Sequence, residues 1–248
     1  MPGGRSLELK NAVILIAGAS TGIGAATAKL LAGYGAKIAL VARSADKLIV
    51  LAESIGDQAF PITADLTIQA DVERMAKEAV SHFGHLDAVY VNAGTFVSGN
   101  LMDGDPEVWA AGINLNITAL LRVLRVTLPY LANQRFGHVL VTSSVAGHRW
   151  MKGQTVYCAT KNAVAGIILG LRFEMLEYNV KVTSITPGWV ASELWDNTPD
   201  VRNLLKSALL NREAISSEDI ANAVIYALTQ PDSVNINEII VQPLKQMH

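Results

Sequence analysis

Tyr157 and Lys161 stand four residues apart in SSVAGHRWMKGQTVYCATK, the stretch from Ser143 to Lys161. On a helix that spacing places both side chains on one face, with Cβ atoms roughly 5–6 Å apart. A phenol with an ordinary pKa of about 10 exchanges protons poorly at neutral pH, and a neighbouring ammonium favours its ionised form. Two or three units of such help, each worth about 1.4 kcal/mol, would bring Tyr157 into the range of general acid–base chemistry. Ser144, thirteen residues earlier, adds a hydroxyl able to polarise a carbonyl. A Tyr-x-x-x-Lys pair also arises by chance on many helices, so its meaning depends on the elements that hold it.

Those elements begin with a continuous apolar run, Asn11 to Ala17, that ends in glycine. Such a run fits a parallel strand covered on both faces. Gly18, Ser20, Thr21, Gly22, Ile23 and Gly24 then make a turn ahead of the amphipathic segment Ala25 to Tyr34. Glycines between a strand and a helix let the backbone approach a phosphate, and free N–H groups at the helix start attract the anion. Ile38 to Ala42 reads as the second strand, completing a βαβ unit. At its end an NAD site usually carries an acid for the ribose 2′-hydroxyl. Here Ala42 is followed by Arg43 and Ser44. A guanidinium suits a 2′-phosphate, so the exchange favours NADP over NAD.

The alternation of strands and helices continues without a linker or repeat. Strands are expected at Gln58–Thr63, with Asp65 and Leu66 just beyond, at Asp87–Val91, at His138–Ser143, at Val180–Thr186 and at Asn237–Val241. Asn92, Ala93 and Gly94 follow the fourth, and small residues there let the backbone lie close to a ligand. Helices are expected at Leu66–Phe83, from Pro106 to about Asn133, at Gln154–Tyr178 and from a Ser217 cap to Thr229. The helix from Gln154 is apolar nearly all round, which predicts burial on more than one side. The sum is a single domain over 1–248, a doubly wound parallel seven-stranded Rossmann sheet with helices on both faces. The more polar segment 189–215 is a candidate substrate lid.

Composition narrows the function classes. Of 248 residues half are apolar and 17% charged, and the net charge of −2 gives no electrostatic footprint for nucleic acid. Cys158, the single cysteine, excludes an intrachain disulfide and fits a reducing, cytoplasmic location. Five histidines show no ligand spacing, so no metal is expected. No apolar stretch is expected to reach the roughly 18 residues of a membrane span, and the basic and apolar N-terminal segment is read as a strand rather than a secretory signal.

With these residues in place, the chain resembles the classical short-chain dehydrogenase/reductase family over nearly its full length. Gly18, Gly22 and Gly24 match its TGxxxGxG turn, Asp65 its adenine-side acid, and Asn92-Ala93-Gly94 its NNAG segment. Pro187, Gly188, Val190 and Ser192 match the stretch that holds the nicotinamide. Ala17 and Val91 depart from the pattern, so two supporting hydrogen bonds should be absent or differently made. The carboxy-terminal VNINEIIVQP is similar to that of the NADP-dependent 3-hydroxy acid and serine dehydrogenases. The resemblance implies catalysis by Asn116, Ser144, Tyr157 and Lys161, with Tyr157 and Lys161 also touching cofactor. Tyr157 would exchange the proton, Ser144 hold the carbonyl oxygen, Lys161 bind the nicotinamide ribose and Asn116 position a relay water. It also implies a homo-oligomer, a tetramer or a dimer, joined through the helices around Pro106–Asn133 and Gln154–Tyr178.

The alternatives are a cofactor-sensing scaffold and a lyase or epimerase without net redox change. For the substrate, His148–Lys152 and Trp189–Arg212 bring Arg149, Lys152, Arg202 and Arg212 together with Trp150, Trp189 and Trp195. A carboxylate suits those arginines, so Arg149, Trp150 and Trp189 join Ser144 and Tyr157 as candidate contacts to a 3-hydroxy acid. Read as solvated, the same cations leave a pocket for an uncharged ketone, aldehyde or sugar-like alcohol.

Overall fold

In the computed structural model, which describes residues 7–195 and 199–246, the apolar runs pair into one sheet. Its strands are β1 (Val13–Ala17), β2 (Lys37–Ala42), β3 (Ala59–Thr63), β4 (Ala88–Val91), β5 (Gly137–Thr142), β6 (Val180–Pro187) and β7 (Glu238–Val241). Their order is β3-β2-β1-β4-β5-β6-β7, with every pair parallel. Parallel strands buried on both faces need no polar alternation, and β1 and β4 are buried at every position. Val13, Leu15 and Ala17 point into one core cluster, Ile14 and Ile16 into the other.

Helices α3 (Gln69–Phe83), α5 (Ala119–Gln134) and α6 (Thr155–Met175) cover the first face, and α1 (Gly22–Gly33), α2 (Ala45–Ile55) and α8 (Ser217–Leu228) the second. Two shorter-range elements complete the chain, α4 (Pro106–Ile113) and α7 (Pro199–Leu210). The strand order reverses between β1 and β4. A crevice opens there, at the carboxyl ends of the strands, where ligands bind in open α/β sheets.

Three expectations are corrected. The long helix from Pro106 is not uniform: between α4 and α5 lies a π-helical turn at Asn114–Thr118 that brings Asn116 into the interior, 3% exposed. Ser216, not Ser217, caps α8. Its side chain accepts from the Asp219 N–H at 3.2 Å while the Asp219 carboxylate accepts from the Ser216 N–H at 2.8 Å, a reciprocal capping box. Finally, the helical run Pro106–Gln134 is long and apolar enough to cross a membrane by length and composition. In the fold it is a packed layer, with Leu120, Val123, Leu124 and Leu131 turned into the core.

Candidate active site

The crevice is a cavity of about 720 Å³ that runs from Arg43 at the end of β2 to Tyr157 on α6. Its floor is the turn after β1. Gly18 has φ +87°, and a Cβ there would lie 2.6 Å from the Ala93 nitrogen; a Cβ at Gly24 would collide with the Gly18 carbonyl oxygen. The chain is thus shaped for backbone against backbone, leaving Ser20, Thr21, Gly22 and Ile23 to line the cavity where α1 begins.

The departures at Ala17 and Val91 are compensated. The Ala17 carbonyl accepts from the N–H groups of Asn92 (2.9 Å) and Ala93 (2.8 Å), and the Asn92 amide donates to the Gly18 carbonyl at 3.0 Å. Thr142 donates its hydroxyl to Asn92 Oδ1 at 2.9 Å. Having spent its proton, it accepts from the fully buried Tyr90 hydroxyl at 2.7 Å. Val91 lies beside Val141 in the sheet, so the polar groups under the floor sit instead on Tyr90 and Thr142. Neither residue was signalled by the sequence, because a tyrosine inside an apolar strand reads as core.

Helix α6 positions the acid–base pair. Tyr157 and Lys161 are both buried, with Lys161 Nζ 5.9 Å from the Tyr157 ring centre. Nζ donates to the Thr142 carbonyl at 3.1 Å, which ties the lysine to the end of β5. Tyr157 lies beside Ser144, whose Oγ accepts from the Ala146 N–H at 3.1 Å. Burial pushes the phenol up to about 12, against the pull of the Ser144 hydroxyl. Burial brings Lys161 down to about 8. In the ligand-free site enclosure therefore outweighs the help that the lysine was expected to give the tyrosine.

Asn116 does not line the cavity. Its Oδ1 accepts from the Thr95 N–H at 2.8 Å, and its Nδ2 donates to the Thr95 carbonyl at 3.0 Å and to Thr160 Oγ1 at 3.1 Å. Thr160 in turn donates to the Tyr157 carbonyl at 2.8 Å. The π-helical turn thereby joins the loop after β4 to α6.

Of the other expected cofactor residues, Arg43, Ser44, Asp65, Leu66, Asn92, Ala93, Gly94, Pro187, Gly188, Val190 and Ser192 all line the cavity. Gly24 lies behind Gly18 rather than on the surface. Lys47, on the first turn of α2, lines the same end as Arg43 and was missed. Its spacing of four from Arg43 was the available signal. Ser44 caps α2 without a side-chain hydrogen bond, which leaves its hydroxyl facing the same space.

The substrate expectations fare differently. Trp189 lines the cavity, but Arg149 and Trp150 do not. Both are exposed, Trp150 at 66%, because the short turn Val145–Gly147 directs the following residues outward, where His148 pairs with Glu238 at 2.7 Å. Lys152 and Arg212 are also exposed and outside the cavity, and the Arg202 side chain lies outside what the structure describes. Met151 and Gln154 line the cavity instead, with Phe96, Leu194, Trp195 and Val201. Among the described residues no group of three or more His, Cys, Asp or Glu could hold a metal ion.

The sequence model of the short chain dehydrogenase family matches residues 12–203. An uncharacterized oxidoreductase of Staphylococcus epidermidis is 38% identical over 237 residues, spanning 96% of this chain and 99% of the relative. Among solved structures, the closed form of a serine dehydrogenase complexed with NADP+ superposes with a TM-score of 0.88 at 27% identity, covering 95% of this chain and 96% of the other. An alcohol dehydrogenase from the archaeon Thermococcus sibiricus, complexed with 5-hydroxy-NADP, gives 0.85 at 27% identity over 96% and 98% of the two chains.

Proposed function

We propose, from the premise that this chain belongs to the short-chain dehydrogenase family of oxidoreductases, that it interconverts a small alcohol and its carbonyl with NADP(H). The observation that carries the reading is the joining of two sites in one cavity. At one end Tyr157 lies with Ser144 and Lys161, and at the other the glycine turn meets Arg43, Ser44 and Lys47.

The residues present fit a dinucleotide. Backbone at Gly18 and Gly24 is packed too closely for side chains, the start of α1 is open, and Asp65, Asn92, Pro187, Gly188, Val190 and Ser192 line the path between the ends. Arg43 and Lys47 would hold a 2′-phosphate, and the two NADP-type complexes among similar structures agree with that choice. A nicotinamide bound there supplies hydride exchange at carbon.

Tyr157 is protonated at neutral pH, since burial holds it near 12, so in the reductive direction it delivers its proton to the carbonyl oxygen. Ser144 holds that oxygen. In oxidation Tyr157 takes the proton back, and the Lys161 ammonium is the nearby charge that favours the phenolate. Asn116 acts through structure: it fixes Thr95 and, through Thr160, the start of α6.

The test is stoichiometry: a carbonyl and alcohol panel with NADPH and NADP, followed by nucleotide absorbance and product yield. One nucleotide oxidised per carbonyl reduced is the expected result. Product formation without absorbance change would indicate an epimerase or lyase, and nucleotide binding without turnover a cofactor-sensing scaffold. Arg43→Ala should weaken NADPH selectively, by about 1.5–3 kcal/mol for one charge-assisted contact. Equal wild-type efficiency with NADH would remove the NADP assignment.

A further inference from the structure

Beyond Tyr157 the cavity changes character. The Phe96 ring meets Tyr157 edge-on at 5.1 Å between centroids, and Trp195 lies over Phe96 at 4.8 Å with a 49° tilt. Phe96 comes from the loop after β4 and Trp195 from the turn after β6, so the two walls of the cavity meet through aromatic rings. The indole N–H donates to the Val190 carbonyl at 2.9 Å, which uses its one polar atom and leaves the ring face as a wall. Met151, Leu194 and Trp189 extend the apolar lining, and Gln154 is the nearby amide.

The charges lie elsewhere. Among the described lining residues the cations are Arg43, Lys47 and Lys161. The first two follow β2 at the opposite end, and Lys161 donates to the Thr142 carbonyl behind the tyrosine. The anions are Asp65, beyond β3, and Glu193, whose Oε2 lies 3.4 Å from where a Cβ on Gly22 would be. No described cation faces the rings, and Glu193 shares a turn with Trp195. A carboxylate placed against Phe96 and Trp195 would lose its water and, among the described residues, gain no cation in return, and it would feel a like charge. A planar apolar group loses nothing there and gains ring contacts.

We propose that the substrate is an uncharged carbonyl compound whose planar apolar group packs against the Phe96 and Trp195 rings, with Trp195 setting that preference, rather than a hydroxy acid. This rests on the oxidoreductase reading above and specifies its substrate class.

Ethyl benzoylacetate, its free acid and ethyl acetoacetate form a matched set: the first pair differs in the charge and the ethyl group of the carboxyl end, and the two esters differ in the ring. Their kcat/KM values with NADPH are to be measured in the wild type, Trp195→Ala and Trp195→Phe. The ester should exceed the acid by at least about tenfold, as expected for an unpaired carboxylate in an apolar site. The aryl ester should exceed the methyl one, and that ratio should fall by about fivefold in Trp195→Ala and return in Trp195→Phe. An acid as good as its ester, or a ring preference untouched by Trp195→Ala, overturns the proposal. If none of the three is turned over, calorimetric binding to the NADP-loaded protein decides the pocket separately from the chemistry. Ester binding that weakens in Trp195→Ala upholds the ring preference of the pocket, the oxidoreductase reading being judged by the stoichiometry test above, and absence of ester binding overturns the proposal itself.

Discussion

Tyr157 and Lys161 are both enclosed, and burial acts on them in opposite directions, holding the phenol near 12 and bringing the ammonium down to about 8. A lysine poised there is charged at neutral pH and loses its proton as pH rises through about 8. NADPH affinity should therefore weaken above that pH in the wild type, where an ammonium donor becomes an amine. In Lys161→Ala the affinity should be lower throughout and show no such step, as read by fluorescence titration. A step of equal size in both proteins would remove the ribose contact from Lys161. Tyr90 offers a second test. Tyr90→Phe keeps the ring and deletes the donor to Thr142, a buried hydrogen bond worth about 1 kcal/mol. Because Thr142 also holds Asn92, and Asn92 the Gly18 carbonyl, nucleotide Kd should rise several-fold. An unchanged Kd with lowered stability would confine Tyr90 to the core.

Elements respond to such details because each strand end carries one part of the site. His138 on β5 illustrates the reach of burial: it is enclosed and pushed down to about 3, with its Nε2 2.7 Å from Thr183 Oγ1 on β6. The unfolded chain binds a proton at this residue below its ordinary 6.5, and the folded chain does not until about 3. Its contribution to stability is thus intact above pH 6.5 and lost progressively as pH falls toward 3. Urea unfolding should show a shallower acid loss for His138→Gln than for the wild type, and parallel losses would contradict it. The seven strands, the glycine turn and the α6 pair were legible in the sequence, since continuous apolar runs, glycine placement and a four-residue step are local signals. Other features were not, because they depend on distant partners. The π-helical turn is coupled to Asn116 meeting Thr95 and Thr160, and the floor network needs Thr142 to reach back to Tyr90. Arg149 matched a cation expected near substrate, yet the turn at Val145–Gly147 sends it outward, a matter of backbone geometry that residue types do not encode.

At the scale of the molecule, α6 shows why its sequence is apolar on several sides. Val164, Ile168 and Leu171 face the core, while Leu169 and Phe173 on the same helix, and Leu176 just after it, are 54%, 69% and 66% exposed. Leu121 on α5 and Val108 on α4 are also exposed, at 47% and 51%. Helices with apolar residues on both sides suit a symmetric association, and a homo-oligomer, tetramer or dimer, is the expected solution state. Light scattering that finds a monomer at micromolar concentration would refute it. The central claim, however, is that the cavity unites a dinucleotide with Tyr157 as the proton exchanger, and one comparison tests it most directly. NADPH-dependent carbonyl reduction and NADPH affinity are measured side by side in the wild type and Tyr157→Phe, a change that removes the transferable proton and keeps the ring. The account predicts turnover below a tenth of the wild type with nucleotide affinity largely retained; turnover above a tenth would contradict it.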